Sequence, residues 1–129
     1  MIENPILPGF NPDPSICRVG EDFFIATSTF EWFPGVQIHH SKDLVHWRLR
    51  GHALNEKRLL DLRGIPSSGG IWAPALSFYD DLFYLCYTVV HQHEAATKDP
   101  PNFLITAPSI EGPWSDPIFI NASGFDPSL

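Results

Sequence analysis

Basic residues, cysteines and long apolar runs are all scarce in this 129-residue chain, and each scarcity excludes something. Eight Lys and Arg against fifteen Asp and Glu leave a net charge of −7, which repels phosphate backbones and argues against a nucleic-acid partner. No apolar stretch approaches the about eighteen residues of a membrane-crossing helix, so no membrane contact is expected. No basic, apolar, small-residue leader precedes Asn4-Pro5, so no signal peptide is read and a cytoplasmic protein is expected. Cys17 and Cys86, the only cysteines, sit in apolar strand-like runs and read as two buried, reduced thiols. A phosphate loop and a nucleophilic Ser or Cys triad are missing too. Six histidines include His39-His40 on opposite strand faces and His91-Gln92-His93 with two on one face. No third ligand stands at suitable spacing, so neither a metal nor another cofactor is expected.

Proline and aromatic residues are plentiful: thirteen Pro and nine Gly accompany ten Phe, four Trp and three Tyr. That composition, with no helical period over twelve residues, predicts short strands and tight turns. The sequence also repeats itself. Gly9-Phe10-Asn11-Pro12-Asp13-Pro14-Ser15-Ile16 returns near the end as Gly124-Phe125-Asp126-Pro127-Ser128-Leu129. At a shift of 60 residues, the run from Asp13 to Ser28 aligns without a gap on the run from Ala73 to Thr88. Each run reads as strand, tight turn, strand. A looser pair follows, Ser41-Lys42-Asp43-Leu44-Val45-His46-Trp47 and Ser109-Ile110-Glu111-Gly112-Pro113-Trp114, each after a strand (36–40; 103–107) and before a short one.

Each unit therefore holds four strands: an inner one with an x-Pro start, two middle ones, and an outer one after the Trp. Four-stranded units at this spacing indicate a β-propeller rather than a sandwich. The chain is all-β, with blade I at about 10–55, blade II at about 70–121, and the first strand of a third blade at 124–129. Residues 52–70 and 91–102 read as loops. Trp47 and Trp114 are expected to pack between blades.

Asp13 and Asp126 begin inner strands and should face the axis on one rim. Prolines on both sides of Asp13 fix its backbone. At the matching position the second unit has Trp72-Ala73, and Phe30, Trp72 and Phe125 could wall the two acids. Flat apolar rings suit the C–H faces of a sugar, and carboxylates take its hydroxyls. Asp-Pro at a strand start is also ordinary turn chemistry, but recurrence in register with a repeat shifts the weight to function.

Five segments together resemble glycoside hydrolase family 43, its β-xylosidases above all. They are Asn11-Pro12-Asp13-Pro14-Ser15, Thr29-Phe30-Glu31-Trp32-Phe33-Pro34-Gly35, Ser41-Lys42-Asp43-Leu44 with Trp47, Gly70-Ile71-Trp72-Ala73-Pro74 and Gly124-Phe125-Asp126-Pro127-Ser128. The resemblance implies a five-bladed propeller that hydrolyses β-1,4-xylosides, the bonds of xylan and xylo-oligosaccharides, with inversion. It places the general base on Asp13, and on Asp126 the carboxylate that tunes the acid's pKa and orients the substrate. Phe30, Trp72 and Phe125 fall on subsite aromatics. The family's general acid, a Glu on a later blade, has no counterpart here, so the chain is expected to be a truncated amino-terminal portion, inactive alone. Its open propeller edges would be free to associate with each other or with a missing carboxy-terminal portion. Two alternatives stay open: a non-catalytic carbohydrate-binding remnant, and an α-L-arabinofuranosidase of the same family.

Overall fold

The computed structural model describes residues 2–94 and 98–129. Among them no helix forms, and none is therefore long and apolar enough to cross a membrane. The first sheet runs β1 (Ser15–Val19), β2 (Asp22–Thr27), β3 (Gly35–Ser41) and β4 (Arg48–Leu54), antiparallel and in chain order. The second comprises β5 (Gly70–Ile71), β6 (Ala75–Tyr79), β7 (Leu82–Val90), β8 (Asn102–Ala107) and β9 (Ile118–Asn121). The 60-residue shift survives in three dimensions: β1 and β2 match β6 and the first part of β7 in both length and register. Asp80 and Asp81 close the second hairpin with φ of 48° and 59°, the type I′ geometry that the strand twist favours.

One edge of β7 serves two partners in succession. Its first half pairs with β6 and its end pairs with β5. Trp72-Ala73-Pro74 separates the two, and Pro74 has no N–H to continue the ladder. The same break precedes β1, where the sequence reads Pro12-Asp13-Pro14. Each sheet thus frees its x-Pro segment from pairing just before the inner strand begins. β1 and β6 lie side by side, and the Leu76 amide donates to Ser15 Oγ at 3.0 Å.

One apolar core spans both sheets. Phe24 of β2 meets Phe83 of β7 edge-on, with ring centroids 5.5 Å apart, and Phe78 packs on Phe83 at 4.8 Å. Burying one such ring is worth about 1.5–3 kcal/mol, so the contact holds the sheets face to face. Residues 55–69, expected as a plain loop, contribute Leu59 and Leu60, both nearly fully buried. The Tyr87 hydroxyl donates to the Leu59 carbonyl at 3.2 Å, and its burial raises the phenol's pKa well above the ordinary value. Strand β4 also starts the loop later than expected, since His52 to Leu54 still pair with β3. Of the expected loop 91–102, Gln92 and Asp99 form a bridge, while residues 95–97 lie outside the described residues.

Trp114 joins the core as expected, and Arg58 donates to its carbonyl at 2.9 Å. Trp47 does not. Its indole N–H closes its own turn on the Leu44 carbonyl at 3.1 Å. That turn is organised by Asp43, whose Oδ1 accepts from the amides of Val45 (2.9 Å) and His46 (2.8 Å). Cys17 and Cys86 are buried and unpaired, and burial pushes both thiols up, away from the reactive thiolate. Residues 122–129 form no strand, because no strand among the described residues pairs with them. The exposed side chains of Ile118, Phe119 and Ile120 leave β9 an apolar open edge.

Two measurements test this account. A Cβ on Gly70 (φ 80°) would run into the Phe30 carbonyl oxygen, whereas one on Gly64 (φ 78°) meets open space. Gly70→Ala should therefore cost about 2–3 kcal/mol in urea unfolding, and Gly64→Ala only about 1 kcal/mol. Second, the amide hydrogen bonds from His46 and Val45 hold the Asp43 carboxyl well below its usual 3.8. A folded-state pKa lowered in this way stabilises the fold above the unfolded value, and the gain fades as pH falls below it. The difference in melting temperature between the protein and Asp43→Asn should be widest above pH 4 and shrink steadily below.

Candidate active site

The two acids singled out by the repeat share an uncommon backbone. Asp13 has φ of 52° and Asp126 of 59°, both left-handed. Asp tolerates this region better than most residues, since its short side chain can bond locally. The conformation turns each carboxylate out of the extended path just before an x-Pro step. Asp13 is then fixed by its neighbours: its Oδ2 accepts from the buried Ser28 hydroxyl at 2.6 Å, and the Ser28 amide donates to the Pro12 carbonyl at 3.1 Å. Both aspartates are exposed, so they stand on an open surface rather than in an enclosed pocket.

The aromatic residues form a row linked through backbone between Phe30 and Ile71 and through ring contact between Trp72 and Phe125. Phe30 and Ile71 exchange two backbone hydrogen bonds of 2.9 Å each, which brings the connection between β2 and β3 to the start of the second sheet. Trp72 follows directly, and its indole N–H donates to the Ser68 carbonyl at 2.8 Å, setting the ring plane. Phe125 meets Trp72 edge-to-face, with centroids 5.1 Å apart and planes at 82°. Asp126 is the next residue. At the other end, Phe10 tilts against Phe30 at 5.9 Å, beside the Pro12-Asp13 turn. Contacts and chain neighbours thus connect Asp13, Ser28, Phe30, Ile71, Trp72, Phe125 and Asp126, so all five singled-out residues belong to one linked network.

Glu31 belongs to the scaffold of this line. Its carboxylate accepts from the Ser68 amide at 3.1 Å, which clasps residues 29–35 to residues 67–70. Phe125-Asp126 is carried by Asn102, which donates to the Gly124 carbonyl at 3.1 Å and the Asn121 side chain at 2.9 Å. The sequence reading did not single out Ser28, Asn102, Phe10 or Lys98. The Lys98 ammonium stands 4.2 Å from the Phe125 ring centre and 5.0 Å from that of Trp72, a cation–π arrangement at the aromatic row. Phe10 carried a signal as the aromatic in the first copy of the repeated segment, and Ser28 as the partner of Thr88 in the 60-residue alignment; a lysine in a loop and the asparagine opening β8 carry none. Beyond Phe10 lies a groove of about 590 Å³ lined by Trp32, Phe33, Gln37 and His52. Among the described residues no cluster of His, Cys, Asp or Glu could hold a metal ion.

Chemically, the site offers one hydrogen-bonded carboxylate, Asp13, a second exposed carboxylate, Asp126, and three flat apolar faces. Such a surface matches a ligand with hydroxyls along its edge and C–H bonds on its faces. Fold and site together define a β-propeller with a carboxylate and aromatic cleft at its inner strand starts. The family model for glycosyl hydrolases family 43 matches residues 2–129, and the chain belongs to that family. A xylosidase/arabinosidase 43B of Humicola insolens is 65% identical over 128 residues, which cover 99% of this chain and 24% of that protein. A β-xylosidase of Bacillus subtilis is 61% identical, with the same shares covered. The crystal structure of a xylan β-1,4-xylosidase from Bacillus halodurans superposes with a TM-score of 0.98 at 64% identity, over 100% of this chain and 25% of that one. The chain thus spans about a quarter of the length of the relatives it matches.

Proposed function

We propose that these residues are the amino-terminal quarter of an inverting glycosidase that removes xylose units from β-1,4-linked xylo-oligosaccharides. In this reading Asp13 is the general base. It takes a proton from a water molecule as that water attacks the anomeric carbon. A general acid donates its proton to the departing glycosidic oxygen, and the carbon–oxygen bond breaks with inversion. Asp126 orients the sugar and, by its negative charge, keeps the acid protonated near neutral pH. Phe30, Trp72 and Phe125 stack against the ring. Inverting enzymes separate base and acid by about 6.5–9.5 Å to admit the water. The acid itself belongs to the three quarters of the relatives that these residues do not span, along with the remaining wall of the cleft.

The observation that carries the reading is the shared left-handed geometry of Asp13 and Asp126, with Ser28 bonded to the one and the Trp72–Phe125 ring contact beside the other. Turn chemistry alone requires neither the row nor the serine clamp. The names of the relatives favour a xyloside. A second substrate class, α-L-arabinofuranosides, has its support in the double name of the Humicola insolens relative.

Joining residues 1–129 to the remaining three quarters of the Bacillus subtilis protein tests the proposal. The chimaera should hydrolyse an aryl β-xyloside faster than an aryl α-L-arabinofuranoside. Asp13→Asn should lower kcat by at least about 10²–10⁴-fold, the usual worth of a positioned acid or base. The 129 residues alone should show no turnover, for lack of the acid. A folded but inactive chimaera, or an active Asp13→Asn variant, would overturn the assignment. Xylobiose binding without hydrolysis would instead identify a carbohydrate-binding remnant.

A further inference from the structure

The 60-residue repeat aligns Ser28, the residue directly after β2, with Thr88, which lies within β7 two residues before its end. Both are fully buried, and both carry a hydroxyl. We infer that this repeated hydroxyl position holds both carboxylates of the cleft in register, Ser28 acting on Asp13 directly and Thr88 on Asp126 through Asn102. The inference rests on the catalytic reading of the two acids and adds the residues that position them.

The first arm is short. Ser28 Oγ lies 2.6 Å from Asp13 Oδ2, within the range of a strong O–H···O⁻ bond. The Pro12 carbonyl, 3.4 Å from the same oxygen, is an alternative acceptor. Burial of the hydroxyl therefore does not by itself demand the carboxylate as partner. With Oδ2 engaged, Oδ1 is the oxygen left to take the proton from water, so the bond selects both the side chain's orientation and its reacting atom.

The second arm has one relay. Thr88 Oγ1 donates to Asn102 Oδ1 at 2.6 Å. This contact decides which way the Asn102 amide faces, because its oxygen is taken by the hydroxyl. The NH₂ group then points to the Asn121 side chain and to the Gly124 carbonyl, at 2.9 and 3.1 Å, and also contacts the Pro100 carbonyl at 3.3 Å. Gly124, left-handed at φ 80°, lies two residues before Asp126. The relay thus anchors the turn that presents Phe125 and Asp126, where no strand pairing is available to do so. Unlike Asp13 and Asp126, Ala73 at the matching position of the second blade has no carboxylate, and there the hydroxyl serves the neighbouring turn instead. Ser28 and Thr88 are positioning residues, since neither touches the substrate.

The chimaera of the previous subsection provides the test, with an aryl β-xyloside as substrate. A displacement of about 1 Å in a reacting group costs up to about 10²-fold, so Ser28→Ala and Thr88→Val should each lower kcat by about 10- to 100-fold with KM changed less than about 3-fold. Ser28→Thr and Thr88→Ser, which return a hydroxyl, should recover most of kcat. Melting temperatures are recorded alongside. If Ser28→Ala fails to fold, Ser28→Cys, close in size but a weak donor, replaces it. Unchanged kcat in a folded hydroxyl-deleted variant, or a lost kcat that the hydroxyl-bearing variants do not recover, would overturn the inference while the assignment of Asp13 stands. A fully active Asp13→Asn variant would remove both.

Discussion

Two reciprocal backbone hydrogen bonds between Phe30 and Ile71 carry the architecture of the cleft. They bond the connection between β2 and β3 to β5, the strand that opens the second sheet, and Trp72 follows Ile71 directly. Gly70 makes the approach possible, since any Cβ there would run into the Phe30 carbonyl. The glycine thus reports a close backbone contact rather than a flexible hinge. Around this junction the core is ordinary aliphatic and aromatic packing, with Phe24 against Phe83 as its centre.

The repeat explains how one local structure yields different chemistry in different places. Each unit breaks its inner ladder with a proline and leaves one residue free beside the break. In the first unit and at the end of the chain that residue is a left-handed aspartate; in the second it is Ala73 beside a large indole. A surface of alternating carboxylates and rings follows from varying a single position on a repeated frame. The other repeated element, from Ser41 to Trp47, is different in kind. Asp43 and Trp47 satisfy the amides and carbonyl of their own turn, so this part of the family likeness is structural rather than ligand-directed.

Much of the architecture was legible in the residues. Both hairpins appeared in the 60-residue alignment because strand pairing and tight turns are local, and the third and outer strands appeared in the apolar runs flanking the two Ser-to-Trp elements. Leu59 and Leu60 were not legible, because charged neighbours hid two core leucines inside a loop. Trp47 was misplaced for the opposite reason, since a large apolar ring suggests core, yet here it shields its own turn. The last residues fell short of a strand because strand structure depends on a partner as much as on propensity.

What the sequence determined by itself was the repeat, the order of four strands in each unit (but not β5 on the end of β7) and the choice of two candidate acids and three candidate rings, since these are written in local pattern. What only the tertiary structure decided was their assembly into one row, the serine clamp on Asp13 and the Asn102 relay behind Asp126. Those depend on bonds between residues far apart in the chain. The repeat marks the hydroxyl positions of Ser28 and Thr88 but not their partners, which emerge only when packing brings buried donors within reach of acceptors.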